Sequence, residues 1–289
     1  MELINITNHI TIMKLQSNLK SSFCSRAMFI LLFQIGQVTT AQVVLKTDSI
    51  PLQIPEKLDI YLVIGQSNMA GRAAIRVIDT SPIENTQLFT GNEISPWVAA
   101  NNPLNRYSSV RKNIKMQRLG PSYAFAQSMA SENKDHDIGL VVNAKGGTKI
   151  VQWLPRTALY NEAVQQTHKA LKYGKLKGII WHQGKGDCHP VRVDQYLGRL
   201  EILINAIREE FNDPLIPFVA GQLYENENRH ACNEMILQLS DFIRHTGVVT
   251  SEGTSAKDGT HFNSESAILM GNRYALEMNK IQLEQLKKK

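Results

Sequence analysis

Three cysteines in 289 residues are too few for a disulfide framework, and their positions thin the set further. Cys24 lies ahead of an apolar run near the start of the chain, so only Cys188 and Cys232 remain to serve a folded domain. In an oxidising compartment these two can pair. Two cysteines in a large domain are equally at home as separate buried small hydrophobes, and spacing alone does not decide between the two states. Long apolar runs are also missing. Ala27 to Phe33 is far shorter than the roughly 20 residues that cross a bilayer as a helix, and no later segment is long enough either. There is no internal repeat and no low-complexity tract, so a solenoid is excluded. With 43% hydrophobic and 20% charged residues, so is a disordered chain. The formal charge of +6 is not gathered into a stripe. Once the first 41 residues are set aside, Lys287, Lys288 and Lys289 supply most of the excess, and no basic run is interleaved with aromatics. That pattern excludes a dedicated nucleic-acid surface.

What is present divides the chain into three parts. Residues 1–41 read as an N-terminal extension and export signal: basic Lys14, Lys20 and Arg26, the apolar run, then small residues ending Thr39-Thr40-Ala41, with cleavage expected before Gln42 and Met13 as the natural start. A polar leader spans 42–57, and 58–289 forms one catalytic-sized domain. The protein is therefore expected to be secreted or periplasmic, with no membrane association after cleavage.

Within the domain, apolar β-branched runs at Ile60 to Ile64, Ile138 to Val142, Gly178 to Trp181, Phe218 to Ala220 and Gly247 to Thr250 do not alternate with polar residues. Continuous runs of this kind belong to strands buried on both faces, as in a parallel sheet. Helical patterns lie between and after them at Pro121 to Asn133, Leu159 to Tyr173, Val193 to Phe211, Glu227 to His245 and Ser264 to Gln285. The alternation predicts a three-layer α/β/α domain. Ala74 to Gly120, rich in Asn, Pro and Ser, reads as a long excursion over the sheet edge.

Four segments at predicted strand ends carry chemistry. Tyr61-Leu62-Val63-Ile64 runs into Gly65-Gln66-Ser67-Asn68, which sets a serine at the carboxyl end of the first buried strand, the edge where open α/β sheets bind ligands. Taken alone, this is equally an ordinary serine cap on a βα turn. Asp258-Gly-Thr-His261, between the last strand and the last helix, returns to the same edge. An imidazole that takes a serine proton needs an acceptor on its other nitrogen, and an aspartate three residues earlier on one turn can reach it. Asn143-Ala144-Lys145-Gly146-Gly147-Thr148 and Trp181-His182-Gln183-Gly184-Lys185-Gly186-Asp187 add what acyl transfer requires: a backbone N–H with no side chain in the way, and a side-chain amide. His182, Asp187, Cys188 and His189 include metal-ligand types, but their spacing fits no zinc pattern. Arg72 and Trp153 are as readily a surface arginine and a packing indole as pocket residues.

Together with Leu119-Gly120-Pro121-Ser122-Tyr123-Ala124-Phe125-Ala126, these ordered motifs resemble the sialate O-acetylesterase-related branch of SGNH hydrolases, which includes the acetyl xylan esterases of carbohydrate esterase family six. The resemblance implies a flavodoxin-like parallel sheet and a catalytic set of Ser67, Asp258 and His261. It also implies an oxyanion hole from the Ser67 N–H, a glycine of the Gly146-Gly147 pair and the Gln183 side chain. An α/β-hydrolase is disfavoured, because Met69 stands where the serine elbow needs glycine. The chain departs from the family at Lys185, where Glu usually follows His-Gln-Gly; an ammonium there opposes a protonated imidazole.

The expected activity is that of a serine esterase removing acetyl groups from carbohydrate, with xylan-type polysaccharide first and O-acetylated sialic acid second. A glycan-binding protein that keeps the fold without turnover is the alternative from another class. This chemistry needs no metal and no organic cofactor, and the expected partner is the acetylated carbohydrate.

Overall fold

Every residue of the first strand, β1 (Leu58–Gly65), is buried. Because side chains alternate across a sheet, Tyr61 and Val63 enter one core while Leu58, Ile60, Leu62 and Ile64 enter another. The computed structural model describes residues 57–133 and 135–287, so the expected export signal and nearly all of the leader lie outside the described residues.

The other strands are β2 (Thr86–Phe89), β3 (Trp97–Ala99), β4 (Asp137–Ala144), β5 (Gly174–His182), β6 (Phe218–Gly221) and β7 (Thr246–Val249). They form one sheet in the order β3-β2-β4-β1-β5-β6-β7, parallel throughout except where β3 runs antiparallel to β2. The five strands expected from the sequence are the contiguous set β4-β1-β5-β6-β7. Counted among themselves they run 2-1-3-4-5, the flavodoxin-like order whose reversal beside the first strand opens a crevice at the strands' carboxyl ends.

The helices are α1 (Ser67–Ala70), α2 (Ser122–Glu132), α3 (Ala158–Ala170), α4 (Pro190–Val193), α5 (Tyr196–Glu210), α6 (His230–Leu237), α7 (Leu239–Phe242) and α8 (Ser264–Leu286). Phe125 and Met129 of α2 join Met270, Tyr274 and Met278 of α8 over one face of the sheet. Leu159 and Val164 of α3, Leu200 and Ile204 of α5 and Ile236 of α6 cover the other. This is the expected three-layer α/β/α architecture. Helix α8 begins where Asn263 accepts a hydrogen bond from the Ser266 N–H at 2.9 Å, and Glu265 occupies its first turn. The helical pattern from Glu227 to His245 is divided between α6 and α7.

Two local features differ from the sequence reading or complete it. The segment from Ala74 to Gly120 does not simply pass over the sheet edge: it contributes β2 and β3 and widens the sheet. At four and three residues these strands are too short for a period-two pattern to stand out among the Asn, Pro and Ser around them. The segment also braces β4, since Asn105 exchanges hydrogen bonds with both the N–H and the C=O of Ala144 at 3.0 and 2.9 Å. Cys188 and Cys232 are joined as a disulfide with Cα atoms 5.5 Å apart, tying the loop after β5 to α6. Among the described residues, no helix is long and apolar enough to cross a membrane.

Candidate active site

At the carboxyl end of β1 the chain must turn hard against β5. Gly65 has φ +139°, and a Cβ there would lie 2.4 Å from the carbonyl oxygen of His182, so only glycine fits. The turn is locked by the Gln66 N–H donating to the same carbonyl at 2.8 Å. Ser67 follows as the first residue of α1, where a backbone N–H has no partner within its own helix.

The turn between β7 and α8 carries Asp258 and His261 to this point. Asp258 Oδ1 accepts from the backbone N–H groups of Thr260 and His261 at 3.1 and 2.8 Å, and its Oδ2 lies 2.7 Å from His261 Nδ1. His261 Nε2 is 3.0 Å from Ser67 Oγ. Burial acts to raise the Asp258 pKa, but the His261 side-chain bond, the backbone N–H bonds and attraction to His261 together outweigh it and bring the group to about 2. An ionised carboxylate can only accept, so His261 Nδ1 carries the proton and Nε2 is left to accept from the Ser67 hydroxyl. The three residues predicted as a set are thus in one hydrogen-bonded row, Ser67 to His261 to Asp258.

Asn68, quoted in the motif but given no task by sequence reasoning, holds that row together. Its Nδ2 donates to the Thr260 carbonyl at 3.2 Å and its Oδ1 accepts from the Phe262 N–H at 3.3 Å, gripping the His261 peptide on both sides. From the far side, Lys185 Nζ and Arg229 Nη2 both donate to Thr260 Oγ1, at 3.2 and 2.9 Å. Lys185 is therefore attached to the turn one residue before His261. The only sequence signal for Asn68 was its position beside the serine; Arg229 had none.

Of the glycine pair, Gly146 faces Ser67. A Cβ built on it would lie 3.3 Å from Ser67 Cβ and 2.9 Å from Arg72 Nη2, whereas one on Gly147 would meet Lys112 Nζ at 3.2 Å. Among the described residues neither glycine's N–H donates to an acceptor. Trp153 is a packing indole, its Nε1–H donating to Thr148 Oγ1 at 3.1 Å.

Gln183 is already engaged within the protein. It is fully buried, and its side-chain N–H groups donate to the Thr148 carbonyl at 2.9 Å and to Asp187 Oδ2 at 2.8 Å, which leaves neither for an oxyanion. Asp187 Oδ2 also accepts from the Ile150 N–H at 2.9 Å, so Gln183 joins the loop after β4 to the loop after β5. Gln183→Ala should therefore act on stability. Two buried acceptors lose a donor, at a cost of about 1–3 kcal/mol, and differential scanning calorimetry should show the melting temperature falling by several degrees. A large kcat loss with unchanged melting would return Gln183 to the oxyanion hole.

The residues weighed as metal ligands have other roles. His182 Nδ1 lies 3.2 Å from the Tyr274 hydroxyl, and burial, helped by the nearby Arg229 charge, pushes this imidazole down to about 3, so it is neutral. Cys188 is in the disulfide, and His189 Nδ1 accepts from the Val191 N–H at the start of α4.

The family model for carbohydrate esterase, sialic acid-specific acetylesterase, matches residues 57–280. A probable carbohydrate esterase of Arabidopsis thaliana is 27% identical over 234 residues, covering 73% of this chain and 86% of its own. The crystal structure of an Arabidopsis thaliana protein superposes with a TM-score of 0.69 at 24% identity, covering 78% of this chain and 98% of that one. The crystal structure of NanS gives a TM-score of 0.61 at 14% identity, covering 80% and 99%. At these identities the two structures speak for the fold alone.

Proposed function

The chain belongs to the carbohydrate esterase, sialic acid-specific acetylesterase family, which makes it a hydrolase of carboxylic esters, and we propose that it works as an exported serine acetylesterase on carbohydrate. The observation that carries the mechanism is the unbroken row from Ser67 through His261 to Asp258, with contacts of 3.0 and 2.7 Å. Ser67 Oγ attacks the acetyl carbonyl while His261 Nε2 takes its proton. The carbonyl pair moves onto oxygen, where the N–H groups of Ser67 and Gly146 receive it. Collapse expels the sugar hydroxyl, which recovers the proton from His261, and water then releases acetate from the acetyl-enzyme by the same steps.

Export rests on the three-part segment of residues 13–41, and the Cys188–Cys232 disulfide suits an oxidising compartment. Acetylated plant polysaccharide such as xylan is the leading substrate, as the resemblance to acetyl xylan esterases implies. O-acetylated sialic acid is the second reading, favoured by the description of the matching family. Acetate release from acetylated xylan, O-acetylated sialic acid and p-nitrophenyl acetate, measured side by side, tests both. We expect turnover of all three with kcat/KM highest on xylan. A preference for the sialate would reverse the order of the two readings. No turnover of any would leave a glycan-binding protein.

A further inference from the structure

The oxyanion hole described above has two backbone donors and lacks the side-chain donor expected of Gln183. Beside it stands Arg72, 8% exposed. Its Nη1 is fixed by two carbonyls, Gly71 O at 2.7 Å and Met116 O at 2.9 Å. Among the described residues, Nη2 and Nε donate to no acceptor and no carboxylate lies within ion-pair distance of the guanidinium. A buried cation without a counter-charge is costly, and such a group calls for an anion that the resting protein does not supply. Burial lowers its pKa, with no carboxylate restoring it.

The place where that anion would form is marked by Gly146. The volume that a methyl group at 146 would occupy is bounded by Arg72 Nη2 at 2.9 Å on one side and by Ser67 Cβ at 3.3 Å on the other. Glycine keeps this volume open. An acyl carbonyl under attack by Ser67 Oγ must place its oxygen within hydrogen-bond distance of the Ser67 and Gly146 N–H groups, and this cradle lies beside both.

We propose that Arg72 Nη2 is the side-chain donor of the oxyanion hole, taking the part that the sequence assigns to Gln183. The proposal rests on the serine-esterase reading. In the step itself the Ser67 Oγ–carbonyl carbon bond forms, the carbonyl π pair becomes the oxyanion, His261 holds the serine proton, and Nη2 donates to the new charge without giving up its own proton. A charge-assisted bond of this kind is roughly twice as strong as a neutral one. It strengthens as charge develops, so it acts on kcat more than on KM. The anchoring of Nη1 by two carbonyls means that little reorganisation is needed when the charge appears.

The test uses the full chain and p-nitrophenyl acetate, which has neither sugar nor charge. Arg72→Gln should lose about 10²–10³-fold in kcat with little change in KM. The rate of Ser67 labelling by a fluorophosphonate, which builds negative charge on the same atom position, should fall in parallel. Arg72→Lys should retain part of the rate, and millimolar methylguanidinium should raise the rate of Arg72→Gly several-fold. A purely structural arginine would give neither the parallel fall nor the rescue. If Arg72→Gln is poorly folded by thermal melting, Arg72→Lys and the rescue decide. An Arg72→Gln enzyme with parental melting and kcat within a factor of about three would overturn the proposal. So would a loss seen only as raised KM on acidic acetylated sugars, which would make Arg72 a substrate-carboxylate ligand. Failure of the parent to label at Ser67 would instead overturn the serine-esterase reading itself.

Discussion

Ser67→Ala should abolish turnover by at least about 10³-fold in kcat while leaving the melting temperature near that of the parent. The side chain is small, its residue only 9% exposed, and the hydrogen bond it loses is the one to His261 Nε2. The backbone of the turn is held independently, by the Gln66 N–H bond to His182 and by the Asn68 grip on residues 260 and 262. On the proposed mechanism, what remains in the variant is an oxyanion hole with no nucleophile. Steady-state hydrolysis of p-nitrophenyl acetate together with a thermal melt checks the result. Activity within a factor of a few of the parent, in a preparation free of contaminating esterase, would remove Ser67 from the mechanism.

Asp258→Asn should cost on the order of 10⁴ in kcat, for a different reason. The Asn oxygen can still accept from the Thr260 and His261 N–H groups, so the turn survives. The amide NH₂ then faces Nδ1 where a carboxylate oxygen stood at 2.7 Å. A donor at that position favours the tautomer with the proton on Nε2, which can no longer accept from Ser67. In the parent the carboxylate keeps its charge down to about pH 2, because its bonds to His261 and to the backbone outweigh the effect of burial. Acceptor control of His261 is therefore present throughout the range above that value and is lost only as the pH falls through it. The asparagine variant should be impaired at every pH tested, with no alkaline recovery. Near-parental activity, or recovery at high pH, would show that His261 does not depend on Asp258 for its tautomer.

The sequence made legible those parts of the molecule in which one local pattern decides the outcome. The five core strands stood out because burial on both faces leaves a continuous apolar run at the centre of each. Ser67 and the Asp258–His261 turn stood out because topology sends the ends of parallel strands to one edge. Strands β2 and β3 did not, since their few residues are held by pairing with β4 and with each other, and pairing leaves no trace in a short segment's own pattern. The engagement of Gln183 was hidden for a related reason: a buried amide beside a strand end has the right chemistry for an oxyanion, and only the positions of Thr148 and Asp187 show where its donors go. The pairing of Cys188 with Cys232 likewise depended on a separation across 44 residues that spacing cannot supply.

The contact between Ser67 and His261 closes over 194 residues, nearly the length of the described domain. A chain made from its N-terminus carries Ser67 early and acquires His261 only after β7 has emerged. Helix α8, which follows at once, supplies much of the core that holds the turn in place. Contacts of such long range form slowly because loop-closure entropy must be overcome first. On the proposed mechanism the nascent polypeptide is thus an unarmed hydrolase: any ester that meets it during synthesis meets a serine without a proton acceptor. Turnover switches on only with the completed chain, so acetate release doubles as a sensor of full-length, fully docked protein.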